Sequence, residues 1–296
     1  MSTNPPESKI PTRPFFLDAV DQLPPPLLEL TLSNLPAGQS VEGIFVVPSD
    51  THWRDFGWWT SPIQALVFTH QGVLQVIGPL PNRRGTTKWI PADMIILIKL
   101  SLILLYGKLE IYYLNLGRVE KSEMEYNTVS HKLLAPCLRK LIQKTWQLNP
   151  PPRPCQPDAT FPDFVRTSYS FYNGLISEAI SPGETVLGYV YQPEIHEPWL
   201  KIFRKKVAPK LVLAVTDQQI TILQEEMKTH AHNEWVFSFI PLHRVSFIQQ
   251  RIDRSWIKLV INLKTEGSPL PIEIILEPAQ ASKWAAIWRD GRLNEG

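Results

Sequence analysis

The sequence predicts a mainly β protein with some α-helix, built from two similar domains of antiparallel strands that each end in an amphipathic helix. Three observations lead to this fold class. The chain has 296 residues, of which 44% are hydrophobic, and this is enough for two ordinary cores. Its two halves contain the same strand patterns in the same order. Each half then ends on apolar residues at helical spacing.

The prolines indicate where the domains begin and end. Of 28 prolines, eight lie within residues 1–36 and six within residues 148–162. Proline fixes φ and lacks an amide donor, so we expect both stretches to be extended. The resulting organisation is a proline-rich arm at 1–35, a first domain at 36–147, a proline-rich linker at 148–162 and a second domain at 163–296.

Three pairs of segments, in the same order in both halves, indicate an internal repeat. The first pair shares Gly, Val, Gly and Pro in register. The second shares an apolar run, a polar turn that begins with Thr, and another apolar run, which is typical of strand, turn, strand. The third shares an Ile-Pro dipeptide. The pairs are 38–48 with 183–193, 65–76 with 212–223, and 89–95 with 239–245.

Apolar runs after the repeated segments predict the remaining strands. The most hydrophobic window, residues 94–106, spans thirteen residues, whereas a helix needs about 18 apolar residues to cross a bilayer. This window is therefore predicted to be a buried strand. The predicted strands are 94–104 and 109–116 in the first half, and 246–250, 256–263 and 272–276 in the second.

An amphipathic helix is predicted at the end of each half. In the first half, apolar residues recur at helical spacing between Val129 and Trp146. Pro136 is expected to kink this helix or to begin its second segment. In the second half, Trp284 and Trp288 belong to a shorter stripe of the same kind. Either helix is suited to cover an exposed core.

Four features of the second half carry a family resemblance: the Gly-Glu-Thr-Val start at 183–186, the strand end at 213–217, the segment 239–245 and the closing tryptophan helix. They resemble the pleckstrin-homology-like (PH-like) superfold, in particular the bacterial PH-like and GRAM-type domains. The resemblance implies two nearly orthogonal antiparallel sheets per domain, forming a barrel-like sandwich plugged by the carboxy-terminal helix. The first half departs from the pattern, because Gln39 stands for the Glu and His70 for the Asp.

Composition and motifs argue against several classes of function. Lysine and arginine total 30 against 28 acidic residues, a net charge of +2, so we expect no nucleic-acid partner. The sequence lacks a glycine-rich phosphate loop, a nucleophile elbow, an HExxH motif and an EF-hand loop. We therefore expect no catalytic residue and no cofactor.

The cysteines and histidines carry no clear metal or disulfide signature. Cys137 and Cys155 are too far apart for a CxxC motif and too few for a disulfide framework, so reduced thiols are expected. His230 and His232 lie in a polar run that we interpret as a hairpin turn, although an i, i+2 pair on an extended strand also suits a metal ion. No metal site is predicted.

The segment after the first strand of the second half is the main candidate for binding. Residues 199–210 contain five basic residues and no acidic one, and each cation near an anionic leaflet contributes about 1 kcal/mol. The resemblance implies a role here, because this loop commonly holds phosphoinositide head groups in pleckstrin-homology domains. The alternative is a solvated loop whose aromatic residues pack on the barrel. The candidate lipid- or partner-binding residues are Trp199, Lys201, Phe203, Arg204, Lys205, Lys206 and Lys210.

The corresponding segment of the first half, residues 48–62, is aromatic rather than basic. Its aromatic residues are unusually numerous for a solvated loop. They either fold back to extend the core or dock on a partner, such as the second domain. The residues are Trp53, Phe56, Trp58 and Trp59.

These observations favour a non-enzymatic binding or scaffold protein that docks a protein partner, because an open sheet edge and paired domains suit peptide addition. The first alternative is peripheral binding to an anionic membrane surface through residues 199–210. The second is an enzyme, which requires a deep polar pocket with convergent titratable groups. Residues 1–9 lack the apolar core of a secretion signal, so we expect a cytoplasmic location with at most peripheral membrane contact.

Overall fold

The computed structural model describes residues 11–54, 57–146, 168–199, 203–225 and 234–292. The described part is mainly β, as predicted, and its sheets are antiparallel. The chain separates into two compact units: Met1–Ala92 with Tyr126–Leu141, and Asp93–Glu125 with Ile142–Gly296. The boundaries of these units differ from the predicted domain ranges 36–147 and 163–296. The two ranges, which were taken from the sequence repeat, stay a prediction. The predicted linker at 148–162 lies outside the described residues.

The strands and helices are numbered here in chain order. Residues 11–146 form β1 (Phe15–Leu17), α1 (Pro25–Asn34), β2 (Val41–Val47), β3 (Asp50–Arg54), β4 (Gly57–Ser61), β5 (Gln64–Thr69), β6 (Gly72–Ile77), β7 (Thr86–Pro91), β8 (Ile95–Ile103), β9 (Tyr106–Asn115), β10 (Arg118–Asn127) and α2 (His131–Lys144). Residues 168–292 form α3 (Tyr169–Gly174), β11 (Val186–Gln192), β12 (Ile195–Trp199), β13 (Phe203–Ala208), β14 (Leu211–Thr216), β15 (Gln219–Glu225), β16 (Glu234–Pro241), β17 (Val245–Asp253), β18 (Trp256–Leu263), β19 (Leu270–Leu276) and α4 (Pro278–Arg292).

The strands form open sheets. The first unit holds a five-stranded sheet in the order β1-β2-β5-β6-β7, and β3 and β4 form a separate hairpin. The second unit holds a seven-stranded sheet in the order β10-β9-β8-β16-β15-β14-β11, a three-stranded sheet β17-β18-β19 and the hairpin β12-β13. None of these described sheets closes into a barrel, so the barrel that the resemblance implies for each domain is not formed by strand pairing.

The same order of elements occurs twice along the chain. A first strand is followed by a hairpin, three further strands, a short 3-10 turn, three more strands and a helix. The first series runs from β2 to α2, and the second runs from β11 to α4. The matched sequence segments therefore fall on equivalent elements of the two series.

A hydrogen-bonded corner explains why the first two pairs of segments match. In the first series Thr69 Oγ1 donates a hydrogen bond of 2.9 Å to Gln39 Oε1. In the second series Thr216 Oγ1 donates to Glu184 Oε1. In both, the backbone amide two residues after the threonine donates to the same hydroxyl. The threonine thus fixes the turn between two strands and ties it to the segment that precedes the first strand.

Helix α4 packs on the core of the second unit, as the tryptophan stripe predicts. Trp284 is only 1% exposed. It belongs to a cluster with apolar residues of β11, β14, β15 and β18, against which Ile287 and Trp288 also pack. A Cβ on Gly188 of β11 would collide with Ile287. This glycine therefore lets the helix approach the strand closely.

The predicted helix of the first half is also present, as α2. It begins at His131, shortly after a 3-10 turn, and runs through Pro136 to Lys144. Leu134, Leu138 and other members of its apolar stripe are buried. Pro136 is the sixth residue of the helix and lies beyond the first four amides, which lack intrahelical partners, so the carbonyl of Lys132 loses its i+4 amide donor.

The expectation that the proline-rich arm 1–35 is extended was wrong for its described part. Residues 11–35 contain the strand β1, a 3-10 turn and the helix α1. Pro25 and Pro26 lie at the first two positions of α1, where a missing N–H costs nothing and the fixed φ suits a helix. Leu27 and Thr31 are buried under this helix, which packs against β6 and β7.

Candidate strand-docking edge

The candidate site is the outer edge of β17, which we call the docking edge. β17 is an outermost strand of the three-stranded sheet and pairs on its inner side with β18. No strand of the described ranges pairs with its outer side. An unpaired edge presents a row of N–H and C=O groups that another strand can bond.

The side chains of β17 are largely exposed as well. Val245, at its start, is buried, and the side chains of Ser246 and of residues 250–253 are exposed. Phe247 is 41% exposed and Ile252 is 82% exposed. An exposed edge strand that carries exposed apolar side chains is typical of an interaction site.

β17 is held in place from its inner side. Gln250 lies opposite Leu259 of β18, which is fully buried. The Gln250 side-chain amide donates a hydrogen bond of 3.1 Å to the carbonyl of Ala281 in α4. The strand is thus fixed by β18 and α4, and a docking partner would meet a preorganised edge.

His243, in the turn that leads into β17, is an uncharged imidazole at neutral pH. Burial, with Arg244 and Lys264 nearby, lowers the pKa of His243 to about 4. Burial also lowers the pKa of Arg244. Because His243 is uncharged near neutral pH, its titration does not alter the charge at this end of the docking edge between pH 5 and 8.

Most other outermost strands are short, covered or blunted. β1 has three residues, and β11 lies against α4. β19 contains Pro271 and contacts the hairpin strand β13. β10 carries Lys121 and Glu123, which form an ion pair of 2.7 Å. Proline, charge and coverage are the usual protections of sheet edges. β17 carries the exposed charges of Arg251 and Asp253, but it contains no proline and has no covering strand within the described ranges.

The equivalent strand of the first series, β8, shows what this edge accepts. β8 and β17 both have nine residues, both have a register shift near their first residues, and their first residues Ile95 and Val245 lie 150 positions apart. β16 pairs antiparallel with the outer edge of β8, from Phe239 opposite Ile98 to Glu234 opposite Ile103. Among the strands that the structure describes, this edge is thus paired on β8 and unpaired on β17.

The segment predicted to be a basic loop folds instead as the hairpin β12-β13. Trp199 ends β12 and lies opposite Phe203, the first residue of β13. The next positions of β13 are Arg204, Lys205 and Lys206, whereas Lys201 lies outside the described residues. The side chains of Trp199, Phe203 and Arg204 also lie outside the described part.

The described lysines of this segment are partly neutralised. Lys206 forms an ion pair of 2.9 Å with Glu194, and Lys210 forms one of 3.3 Å with Glu225. Lys205 is exposed. Since two of these three lysines face carboxylates, the segment is less cationic than its sequence indicates.

The aromatic segment of the first half is likewise a hairpin, β3-β4. Trp53 lies opposite Trp58, and Trp59 lies opposite His52. Phe56 and the side chains of the three tryptophans are outside the described residues. The choice between core extension and docking therefore stays a prediction.

A small cleft lies between the hairpin β12-β13 and the three-stranded sheet. Its volume is about 140 Å³, below the roughly 300–1,000 Å³ of usual ligand pockets. Arg254 in this cleft forms an ion pair of 3.0 Å with Glu197. Lys258, which also lines the cleft, pairs with Glu273 at 3.2 Å. Three of the charged residues that line the cleft, Glu197, Arg254 and Lys258, are thus ion-paired, and Asp253 is the fourth charged residue of its lining.

The comparisons with known proteins assign no family to the chain. No family model matches the chain, and no curated protein matches it. Within the described ranges, no helix has both the length and the apolar character that a membrane span requires. The same ranges contain no group of three or more His, Cys, Asp and Glu side chains suited to a metal ion, and His230, His232 and Cys155 lie outside them.

Sequence reasoning did not single out the docking edge, but the repeat contains a signal for it. The aligned strands read IILIKLSLI in β8 and VSFIQQRID in β17. Leu100 of β8 is buried, and the aligned Gln250 of β17 is exposed. The loss of apolar residues from one copy of a repeated strand indicates that this copy faces solvent.

Proposed function

We propose that the chain is a non-enzymatic binding protein that docks a protein partner by adding an extended segment of that partner to β17 as an antiparallel strand. The observation that carries this proposal is the pairing of β16 on β8. The equivalent edge of β17 is unpaired within the described ranges. Main-chain hydrogen bonds would supply affinity, and alternate side chains would supply specificity.

The two faces of β17 set the side chains that a docked segment would meet. Ile248 and Ile252 lie on one face, together with Gln250, because alternate residues of a strand share a face. Arg251 and Asp253 lie on the other face. A partner segment with apolar residues toward Ile248 and Ile252, and polar or charged residues on the alternate positions, therefore fits best.

The PH-like architecture is part of the same proposal. It is supported by the repeated order of strands ending in a helix and by the packing of Trp284 of α4 on the core of the second unit. PH-like folds carry many unrelated tasks. The function is therefore argued from the open edge rather than from the resemblance.

Peptide selection on the full chain tests strand addition. Peptides from a random display library are selected on the wild type and then measured against Gln249→Pro and Gln250→Pro. Amides alternate in direction along an edge strand, so one proline removes an outward donor and the other breaks the ladder with β18. We expect about tenfold weaker binding in the proline variant that keeps wild-type stability in urea.

Selected peptides that bind this stable variant as well as the wild type would contradict strand addition at β17. Hydrogen exchange locates the bound peptide in the wild type. Slower exchange confined to the amides of β17 supports the proposal, and protection confined to any other strand overturns it.

The alternative function is contact with an anionic membrane surface through residues 199–210. The exposed Lys205 favours it, but the ion pairs of Lys206 and Lys210 count against it. Sedimentation with anionic and neutral vesicles separates the two functions. We expect no preference for anionic vesicles at physiological salt, and salt-sensitive binding lost in Lys205→Glu would favour the membrane function instead.

A further inference from the structure

The strand β7 occupies the position in the first series that β16 occupies in the second, and one edge of β7 is unpaired within the described ranges. β7 ends in Trp89-Ile90-Pro91, and β16 ends in Phe239-Ile240-Pro241, at a spacing of 150 positions. β16 uses its outer edge to pair with β8. β7 is the outermost strand of the five-stranded sheet, with no further strand on its outer side in the described ranges.

Within the described ranges, the chain therefore contains one formed strand pair and two strands, β7 and β17, whose equivalent edges are unpaired. The formed pair consists of β16 and β8. β7 is equivalent to β16, and β17 is equivalent to β8, because both alignments share the spacing of 150 positions. β7 and β17 can therefore pair in the same register as β16 and β8, with every residue number shifted by 150 positions.

We propose that the partner which docks on β17 is a second copy of this chain, through its strand β7. This inference rests on the proposed function and names its partner. The contact is antiparallel and joins two different surfaces of the same molecule. Two copies that each offer β7 to the other's β17 form a closed dimer, whereas a single contact leaves one β7 and one β17 open for further copies, so that the assembly grows as a chain or closes as a larger ring.

The register of the formed pair fixes the register of the proposed contact. Shifting both strands of the β16-β8 pairing by 150 positions places Trp89 opposite Ile248 and Arg84 opposite Asp253. The intervening pairs are Lys88 with Gln249, Thr87 with Gln250, Thr86 with Arg251, and Gly85 with Ile252.

The side chains at both ends of this register are complementary. Trp89 and Ile248 form an aromatic and β-branched cross-strand pair, which is a favourable combination. Arg84 and Asp253 are both exposed and carry opposite charges. The intervening pairs bring no like charges directly opposite each other, and like charges at such positions destabilise strand pairing.

Charge reversal at Arg84 and Asp253 tests the contact. Sedimentation velocity of the full chain over a wide concentration range is expected to show assembly of the wild type. Arg84→Asp and Asp253→Arg each place like charges opposite each other, and we expect each to weaken association about tenfold. The double variant restores opposite charges at every contact, and an equal mixture of the two single variants restores them at contacts between unlike molecules, so both samples are expected to assemble again.

Arg83→Asp is the matched control, because Arg83 is an exposed neighbour that lies outside the paired register. It is expected to assemble like the wild type, and loss of assembly in this variant would contradict the register. Assembly that survives both single reversals unchanged would also overturn the proposal.

The same samples separate this inference from the proposed function. A wild-type chain that stays monomeric at every concentration, while selected peptides still protect β17 from exchange, overturns the second copy as partner and leaves strand docking intact. A chain that neither assembles nor binds a peptide at β17 overturns both.

Discussion

Replacing Trp284 with alanine is expected to lower the free energy of unfolding by about 3–5 kcal/mol. Trp284 is 1% exposed and packs in the core of the second unit. Its ring stacks on that of Trp288 with centroids 6.2 Å apart. Truncation removes a large apolar surface from the core and leaves a cavity beneath α4.

Urea unfolding followed by circular dichroism measures this loss. Trp284→Phe is the matched control, because it keeps an aromatic ring and removes an indole N–H that is buried without a hydrogen-bond partner in the described part of the chain. We expect it to cost much less than the alanine variant. A loss below about 1 kcal/mol in Trp284→Ala would show that α4 does not cover this core.

The free energy of unfolding is expected to fall by about 3 kcal/mol as the pH rises from 4.5 to 7, because of Glu184. Burial raises the pKa of Glu184 from 4.5 to about 7, against the opposing hydrogen bonds from Thr216 and from the Ser181 amide. The folded state thus binds a proton that the unfolded state releases. The stabilisation is complete below pH 4.5 and is lost as the pH passes through 7.

Glu184→Gln tests whether Glu184 causes the pH dependence of the free energy of unfolding. The first half of the chain already has a glutamine at the equivalent position. Gln39 occupies the equivalent corner and accepts a hydrogen bond from Thr69. The variant is therefore expected to lose the pH dependence and to exceed the wild type in stability at pH 8, as measured by urea unfolding across this pH range. Glu29→Gln, at an exposed position of α1, is the control for the change in net charge. An unchanged pH profile in Glu184→Gln would contradict the assignment.

The local pattern of apolar residues was enough to predict the strands that lie in the cores and the two helices that end the two series. The window 94–106 was predicted to be a buried strand. Its residues Ile95–Ile103 form β8, inside the seven-stranded sheet between β9 and β16, whereas Leu104 and Leu105 lie in an exposed turn. Trp284 was predicted on the apolar face of a closing helix, and it is buried there. These elements are predictable because burial on one or both faces leaves a clear apolar period.

Elements with weaker periods were missed. β10 reads RVEKSEMEYN, and only alternate residues near its end, Ser122, Met124 and Tyr126, are buried. A serine and a tyrosine among glutamates give little apolar signal. The helix α1 was missed for a different reason, because its prolines were interpreted as helix breakers although Pro25 and Pro26 occupy the first turn, where proline is favoured.

The candidate site was beyond sequence reasoning because an edge is a property of the assembled sheet. The general expectation of an open sheet edge was made, and residues 246–250 were predicted to be a strand, but no residue of β17 was assigned to a binding site. Pairing of β8 with β16 joins residues more than 130 positions apart, such as Ile103 and Glu234, and no local rule predicts it. The basic residues at 199–210 were favoured by their charge, but the carboxylates of Glu194 and Glu225, which neutralise Lys206 and Lys210, became visible only in the fold.

Hydrogen exchange of the dilute full chain, read residue by residue along β8 and β17, decides whether the docking edge is open. β8 is paired on both sides, so all its ladder amides are expected to exchange slowly. β17 is paired on one side within the described ranges, so alternate amides between residues 246 and 252 are expected to exchange rapidly and to slow when a selected peptide binds. Slow exchange of every β17 amide in the dilute, peptide-free chain would mean that the edge is already covered, and would contradict strand docking.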